Sequence, residues 1–179
     1  MSEKLDPNVF VGFQKLTRLS KGTLITEKID GTNAQVLVTS EGLVVAGSRN
    51  RYLTVEDDNF GFARWVKDNE EELRKLGPGR HFGEWWGLGV QRGYGLKEKR
   101  FSLFNTGRWS NERPACCHVV PLLYAGEFTS EAVEKALADL AQRGSVASPG
   151  FMNPEGVVVF AGGSLFKKTL GGDGHKGQP

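Results

Sequence analysis

Thr26-Glu27-Lys28-Ile29-Asp30-Gly31-Thr32-Asn33 is the stretch from which the fold is best approached. A lysine closes an apolar strand and is followed at once by Asp-Gly. Thr23 to Ile29, Ala34 to Thr39 and Leu43 to Ser48 are short, rich in β-branched residues and separated by Gly-containing turns. That pattern predicts an antiparallel meander. Two readings of Lys28 then stand side by side. At a strand edge beside an ordinary hairpin turn it needs no function. Facing a pocket, desolvated and with other cations nearby, a lysine becomes a free amine and a nucleophile.

Working outward, the apolar period changes after Phe60. Phe62, Trp65, Val66, Asn69, Leu73 and Leu76 fall at helical spacing, and Gly77-Pro78-Gly79 ends the run. Strands are predicted at His81 to Trp86, Arg100 to Phe104 and His118 to Tyr124. A second helix is predicted from Ser130, with Val133, Ala136, Leu137 and Leu140 on one face and Gly144 at its end. Gly156 to Phe160 and Ser164 to Thr169 are the last strands. Many short strands with two inserted helices give an α+β class built on antiparallel sheets with flanking helices.

The composition narrows the function classes. The chain has 179 residues, 39% hydrophobic content and 25% charged residues, which suits one globular domain and argues against disorder. No apolar run reaches the roughly 18 residues of a membrane span, and Met-Ser-Glu-Lys-Leu-Asp-Pro is unlike a signal peptide, so a cytoplasmic protein with no membrane partner is expected. The two cysteines, Cys116 and Cys117, are adjacent and read as reduced, partly buried thiols. Gly87-Leu88-Gly89 is not continued as a dinucleotide fingerprint, and no Walker-type phosphate loop occurs. His81, His118 and His175 lack the spacing of paired zinc ligands.

The formal charge of +2 hides an uneven distribution. Glu56 to Lys75 carries seven acids and four bases, whereas Arg92 to Arg113 carries six bases and two acids. The basic stretch is interleaved with Tyr94, Phe101, Phe104 and Trp109. That composition suits a surface that tracks a nucleic-acid backbone and stacks on bases, or simply a solvated loop.

Taken with the motifs that follow it in order, Lys28-Ile29-Asp30-Gly31-Thr32-Asn33 resembles motif I of the covalent nucleotidyltransferases. That superfamily comprises ATP-dependent DNA ligases, RNA ligases and mRNA capping enzymes, and the Gly-Thr-Asn extension is similar to the RNA ligases, particularly the nick-sealing phage type. Ser48-Arg49-Asn50-Arg51 resembles motif Ia, Phe82-Gly83-Glu84-Trp85-Trp86-Gly87 motif III, and Phe101-Ser102-Leu103-Phe104-Asn105 motif IIIa. Pro154-Glu155-Gly156-Val157-Val158-Val159 resembles motif IV, and Leu165-Phe166-Lys167-Lys168-Thr169 motif V.

The resemblance implies an ATP-grasp-like nucleotidyltransferase domain and an ATP-dependent RNA ligase using ATP and Mg2+. Lys28 is then the nucleophile that takes AMP. Glu27, Arg49, Glu84, Phe104, Glu155 and Lys167 contact the nucleotide, with Glu84 on the ribose, Phe104 on adenine and Glu155 also near the metal. Asn33 serves the 5′-phosphate of the RNA. Arg51, a second candidate in motif Ia sharing a strand face with Arg49, is expected to contact the nucleic acid. Arg92, Lys97 and Arg100 are the internal candidates for gripping RNA, whether at a nicked duplex or at DNA/RNA hybrid ends.

Two departures qualify the resemblance. Motif V often reads Lys-x-Lys, whereas here Lys167 and Lys168 are adjacent. Strand alternation lets only one of them line a pocket, and Lys167 follows the apolar run as the motif does. Ten residues, Lys176 among them, follow Thr169. The expectation is therefore a single domain over 1–179 with no OB-fold or accessory domain, and a clamp or accessory protein becomes a possible partner. A capping-type guanylyltransferase and a non-catalytic nucleic-acid-binding module of the same fold are the alternatives.

Overall fold

The computed structural model describes residues 22–171; His175 and Lys176 lie outside them. In chain order the elements are β1 (Thr23–Lys28), β2 (Thr32–Val38), β3 (Val44–Ser48), α1 (Phe62–Asp68), α2 (Glu70–Arg74), β4 (Gly79–Gly87) and β5 (Lys99–Leu103). There follow α3 (Thr106–Trp109), β6 (His118–Val119), β7 (Leu122–Gly126), α4 (Ser130–Arg143), β8 (Gly156–Ala161) and β9 (Ser164–Thr169). The α+β class holds. None of these helices is long and apolar enough to cross a membrane.

The strands form two sheets, ordered β7-β1-β8-β9 and β3-β2-β4-β5-β6. The meander expected at the start is therefore wrong in one respect. β2 pairs β3, but β1 pairs β7 and β8. Asp30-Gly31 closes no hairpin; it carries the chain from the four-stranded sheet to the five-stranded one. Gly31 is required by a close approach, because a Cβ there would meet the Trp85 carbonyl oxygen and lie 2.8 Å from Trp86 Cβ.

Two other elements depart from expectation. His118 to Tyr124 is not one strand. β6 adds to the five-stranded sheet, β7 to the four-stranded sheet, and Pro121 stands between them without an N–H to continue a ladder. The β5–β6 pair is parallel, so the larger sheet is mixed. The first helix is interrupted at Asn69, whose side-chain amide donates to the Trp65 carbonyl at 2.8 Å and ends α1 before α2 begins. α4 matches its expected span, with Thr129 Oγ1 accepting from the Ala132 N–H and Gly144 at φ 85° ending it.

Each sheet buries one face against helices. Ala34, Val36, Val38, Trp85, Phe101 and Leu103 pack with Phe62, Val66 and Leu73 of α1 and α2. Ile25, Val157 and Val159 pack with Ala136, Leu137 and Leu140 of α4. A third cluster of Ile29, Trp86, Tyr94 and Val120 fills the junction between the sheets. Burial of these apolar surfaces supplies the main stabilisation. The opposite sheet faces carry the polar residues described next.

Candidate active site

Register decides which side chains share a face, because cross-strand neighbours point the same way. In the four-stranded sheet, Lys28 pairs with Gly156 and Thr26 with Val158, and Val158 pairs in turn with Lys167. Lys28 and Lys167 therefore share the face away from α4. Lys168 pairs with Val157 on the α4 side. In the five-stranded sheet, Asn33 pairs with Glu84 and Glu84 with Ser102, on the face opposite the α1–α2 core. Phe104 follows β5 on this uncovered side and is 42% exposed, so it is not a core residue.

The crossover from Lys28 to Asn33 brings the two uncovered faces together. Lys28 Nζ lies 2.9 Å from Glu155 Oε2, with the Glu155 side chain only 5% exposed. Gly156, next to Glu155, has φ 154°, and a Cβ there would collide with the backbone of Lys168 and Thr169. Glycine lets β8 begin hard against β9 and so fixes Glu155 beside Lys28. On the other wall, Glu84 Oε1 accepts from the Gly31 N–H at 3.2 Å. The Asn33 amide is assigned with its oxygen toward Arg49, the one orientation in which both ends are satisfied: its nitrogen donates to Glu84 Oε2 at 3.3 Å, and its oxygen accepts from Arg49 Nε at 2.8 Å and from Arg49 Nη2. Arg49, Asn33 and Glu84 thus form one hydrogen-bonded row leading to the motif I backbone.

Glu84 is the most perturbed acid of this row. Burial pushes its carboxyl up to about 7, against the lowering pull of Lys28 and the Gly31 N–H, and with a smaller upward push from Glu155 and Asp30.

Other expected site residues are placed differently. Glu27 alternates with Lys28 and turns away from it, and its carboxylate is fully buried. It accepts from Ser145 Oγ at 2.6 Å and from the Val146 and Ala147 N–H groups at 2.9 and 2.8 Å. Desolvation raises its pKa despite those bonds. Its side chain organises the 145–147 loop and is turned away from Lys28 and the uncovered face. Arg49 and Arg51 do not share a strand face. The chain turns at 48–51, with the Ser48 N–H bonded to the Arg51 carbonyl, and Arg51 pairs with exposed Asp57 at 2.8 Å.

Of the rings in the basic aromatic stretch, Phe104 alone is exposed for stacking. Tyr94, Phe101 and Trp109 are buried, because rings of that size are worth more in the core than in solvent. Arg92 Nε pairs with Asp30 Oδ2 at 3.3 Å and its Nη1 donates to the Asn153 carbonyl at 3.4 Å, so it ties two loops together. Arg100 is engaged by Glu98 at 2.9 Å, and Lys97 is exposed. Tyr94 is the structural participant that sequence reasoning missed: its hydroxyl accepts from the Asp30 N–H at 2.9 Å. Nothing in its local sequence marks it.

Among the described residues, the histidines and cysteines stay outside this arrangement. His81 Nε2 is bonded to the Gly77 carbonyl at 2.8 Å, and the Cys116 and Cys117 sulfurs are free, 3.9 Å apart.

A strand-end lysine thus faces a carboxylate beside a second sheet that presents an acid, an amide and an arginine. The chain matches the family model described as RNA ligase over residues 22–167, and it belongs to that family. Among solved structures it is similar to a single-residue mutant of Naegleria gruberi RNA ligase with ATP and Mn. The two share 21% identity and a TM-score of 0.64, covering 86% of this chain and 51% of that one. It is also similar to Naegleria gruberi RNA ligase with PPi, at 23% identity and a TM-score of 0.61, covering 84% and 50%. This chain thus spans about half the length of those ligases. No curated protein matches it significantly.

Proposed function

We propose that the chain is the adenylyltransferase unit of an ATP-dependent RNA ligase. The observation that carries this is Lys28 Nζ held 2.9 Å from Glu155 at the line where the Glu84–Asn33–Arg49 row meets the crossover. Membership of the RNA ligase family, and neighbours that bind ATP with Mn or PPi, support the same reading.

In the first step Lys28 Nζ, having lost a proton, attacks the α-phosphorus of ATP. An N–P bond forms, the bond from α-phosphorus to the bridging oxygen breaks, and pyrophosphate leaves. The product is a lysyl-AMP phosphoramidate. Negative charge grows on the phosphoryl oxygens and leaving group, and fixed cations stabilise it. Arg49, with its planar fork, and Lys167, on the Lys28 face, are the cations assigned to that task. Glu84 receives the ribose hydroxyls, and exposed Phe104 offers a ring for adenine. AMP then passes to an RNA 5′-phosphate, with Asn33 beside it. Attack by a 3′-hydroxyl joins the strands and releases AMP.

Among the described residues no three His, Cys, Asp or Glu side chains cluster to hold a metal by themselves. The donor set fits a cation shared between Glu155 and nucleotide phosphates, the usual manner of Mg2+. When bound, such a cation supplies charge neutralisation at the phosphates. The strand partner is proposed to be RNA ends at a nick. The length the ligases have beyond this match leaves room for a clamp supplied elsewhere.

The test is incubation with Mg2+ and ATP labelled in the α-phosphate, followed by denaturing electrophoresis. The wild type is expected to carry AMP and Lys28→Ala none. Labelling by GTP in place of ATP, or no label with either, refutes the proposal.

A further inference from the structure

Tyr94 is 1% exposed, yet its backbone sits at φ 52°, a left-handed conformation that a bulky residue seldom adopts. It lies in the loop between β4 and β5, far in sequence from Lys28, and the surroundings hold it from every side. Its ring is edge-on to Trp86 at 5.3 Å and tilted on Phe151 at 4.6 Å. Its carbonyl accepts from Ser148 Oγ at 2.8 Å. Ser148 is bonded to Ser145, which is bonded to Glu27.

The phenol oxygen is where these restraints converge. It accepts the Asp30 N–H at 2.9 Å, two residues after Lys28, and lies beside the backbone of Glu155. One buried oxygen thus holds the segment that carries Lys28 where it meets the segment that carries Glu155. Arg92, two residues earlier in the same loop, makes a parallel tie, from Asp30 to the carbonyl of Asn153. The loop spans two segments more than a hundred residues apart in sequence, and no strand pairing fixes the crossover itself.

We propose that Tyr94 is a positioning residue for lysine adenylylation: its hydroxyl sets the distance and direction of Lys28 relative to Glu155 by holding the Asp30 backbone, two residues after Lys28, against the Glu155 segment. The inference rests on the proposed adenylyltransferase reading. Nucleophilic attack needs a reacting nitrogen within about 3–3.5 Å and in line with the leaving group, so a small displacement is costly in rate. Tyr94 itself lies in the core and its hydroxyl is occupied by backbone, so it contributes little to nucleotide affinity.

The test is Tyr94→Phe, which keeps the ring and removes only the oxygen. Single-turnover adenylylation is followed with labelled ATP over a range of concentrations, using the full chain with Mg2+. The expected result is a first-order rate constant at saturating ATP that falls about 10- to 100-fold, with the apparent KM for ATP within about twofold of wild type. Ser148→Ala, which loosens the Tyr94 carbonyl instead, should show the same split to a smaller degree and serves if Tyr94→Phe fails to fold. An unchanged rate constant, or a loss carried by KM, overturns the inference while leaving the adenylyltransferase reading intact. A wild type that takes no label refutes that reading, and this inference with it.

Discussion

Replacing Glu84 by glutamine removes one proton-binding group whose affinity the fold has raised, and the consequence is a change in the pH dependence of stability. In the unfolded chain Glu84 titrates at its ordinary value of 4.5; in the native protein burial has pushed it to about 7. Between those values the native state holds a proton that the unfolded state has released. Stability must therefore fall as pH rises through that window, and the term vanishes in Glu84→Gln. At about 1.4 kcal/mol per unit, the Glu84 contribution declines by roughly 2–3 kcal/mol between pH 5 and pH 8. The residue is only 9% exposed, so solvent screening does not erase the effect. Glu27 is also raised by burial, but it is present in both proteins and cancels in the comparison. Urea unfolding of both proteins at several pH values, without nucleotide, gives the difference directly. Wild type should gain on the variant as pH falls from 8 to 5. Parallel stability curves, or a gap that widens the other way, would refute the claim that Glu84 is desolvated in the folded protein.

Two further outcomes follow from the site's geometry. Glu27→Ala strips the acceptor from Ser145 and from two backbone N–H groups while opening a buried space. Urea unfolding should show a loss of about 2–4 kcal/mol, and a loss below about 1 kcal/mol would contradict its role in holding the 145–147 loop. Lys167→Ala should slow lysine adenylylation about 100-fold, as loss of a charge-stabilising donor does elsewhere, while Lys168→Ala stays within about threefold of wild type. Equal losses in the two variants would mean that the β8–β9 register does not govern which lysine reaches the nucleotide.

Much of this molecule could be read before any coordinates, because the legible features were local. Alternation in Thr23 to Lys28 and the helical period of Ser130 to Arg143 each report burial on one element, and each appears where expected. Alternation allowed only one of Lys167 and Lys168 to line a pocket, the motif favoured Lys167, and the register puts Lys167 on the Lys28 face. Pairing partners are a different matter. A period of two says which residues share a face but not which strand lies alongside, so β1 passed for the neighbour of β2 when it pairs β7 and β8. Pro121 shows the same limit, since it interrupts a ladder without indicating that the chain leaves for another sheet. The roles of Glu27 and Tyr94 depend on the loops at 145–148 and 153–155, brought together only by tertiary packing. At Asp30-Gly31 the turn signal was right about the bend and silent about its destination. What directs the chain there is the Trp85 carbonyl, against which only a residue without Cβ can lie. That contact belongs to the second sheet, so the position of the candidate nucleophile is set by a strand more than fifty residues downstream.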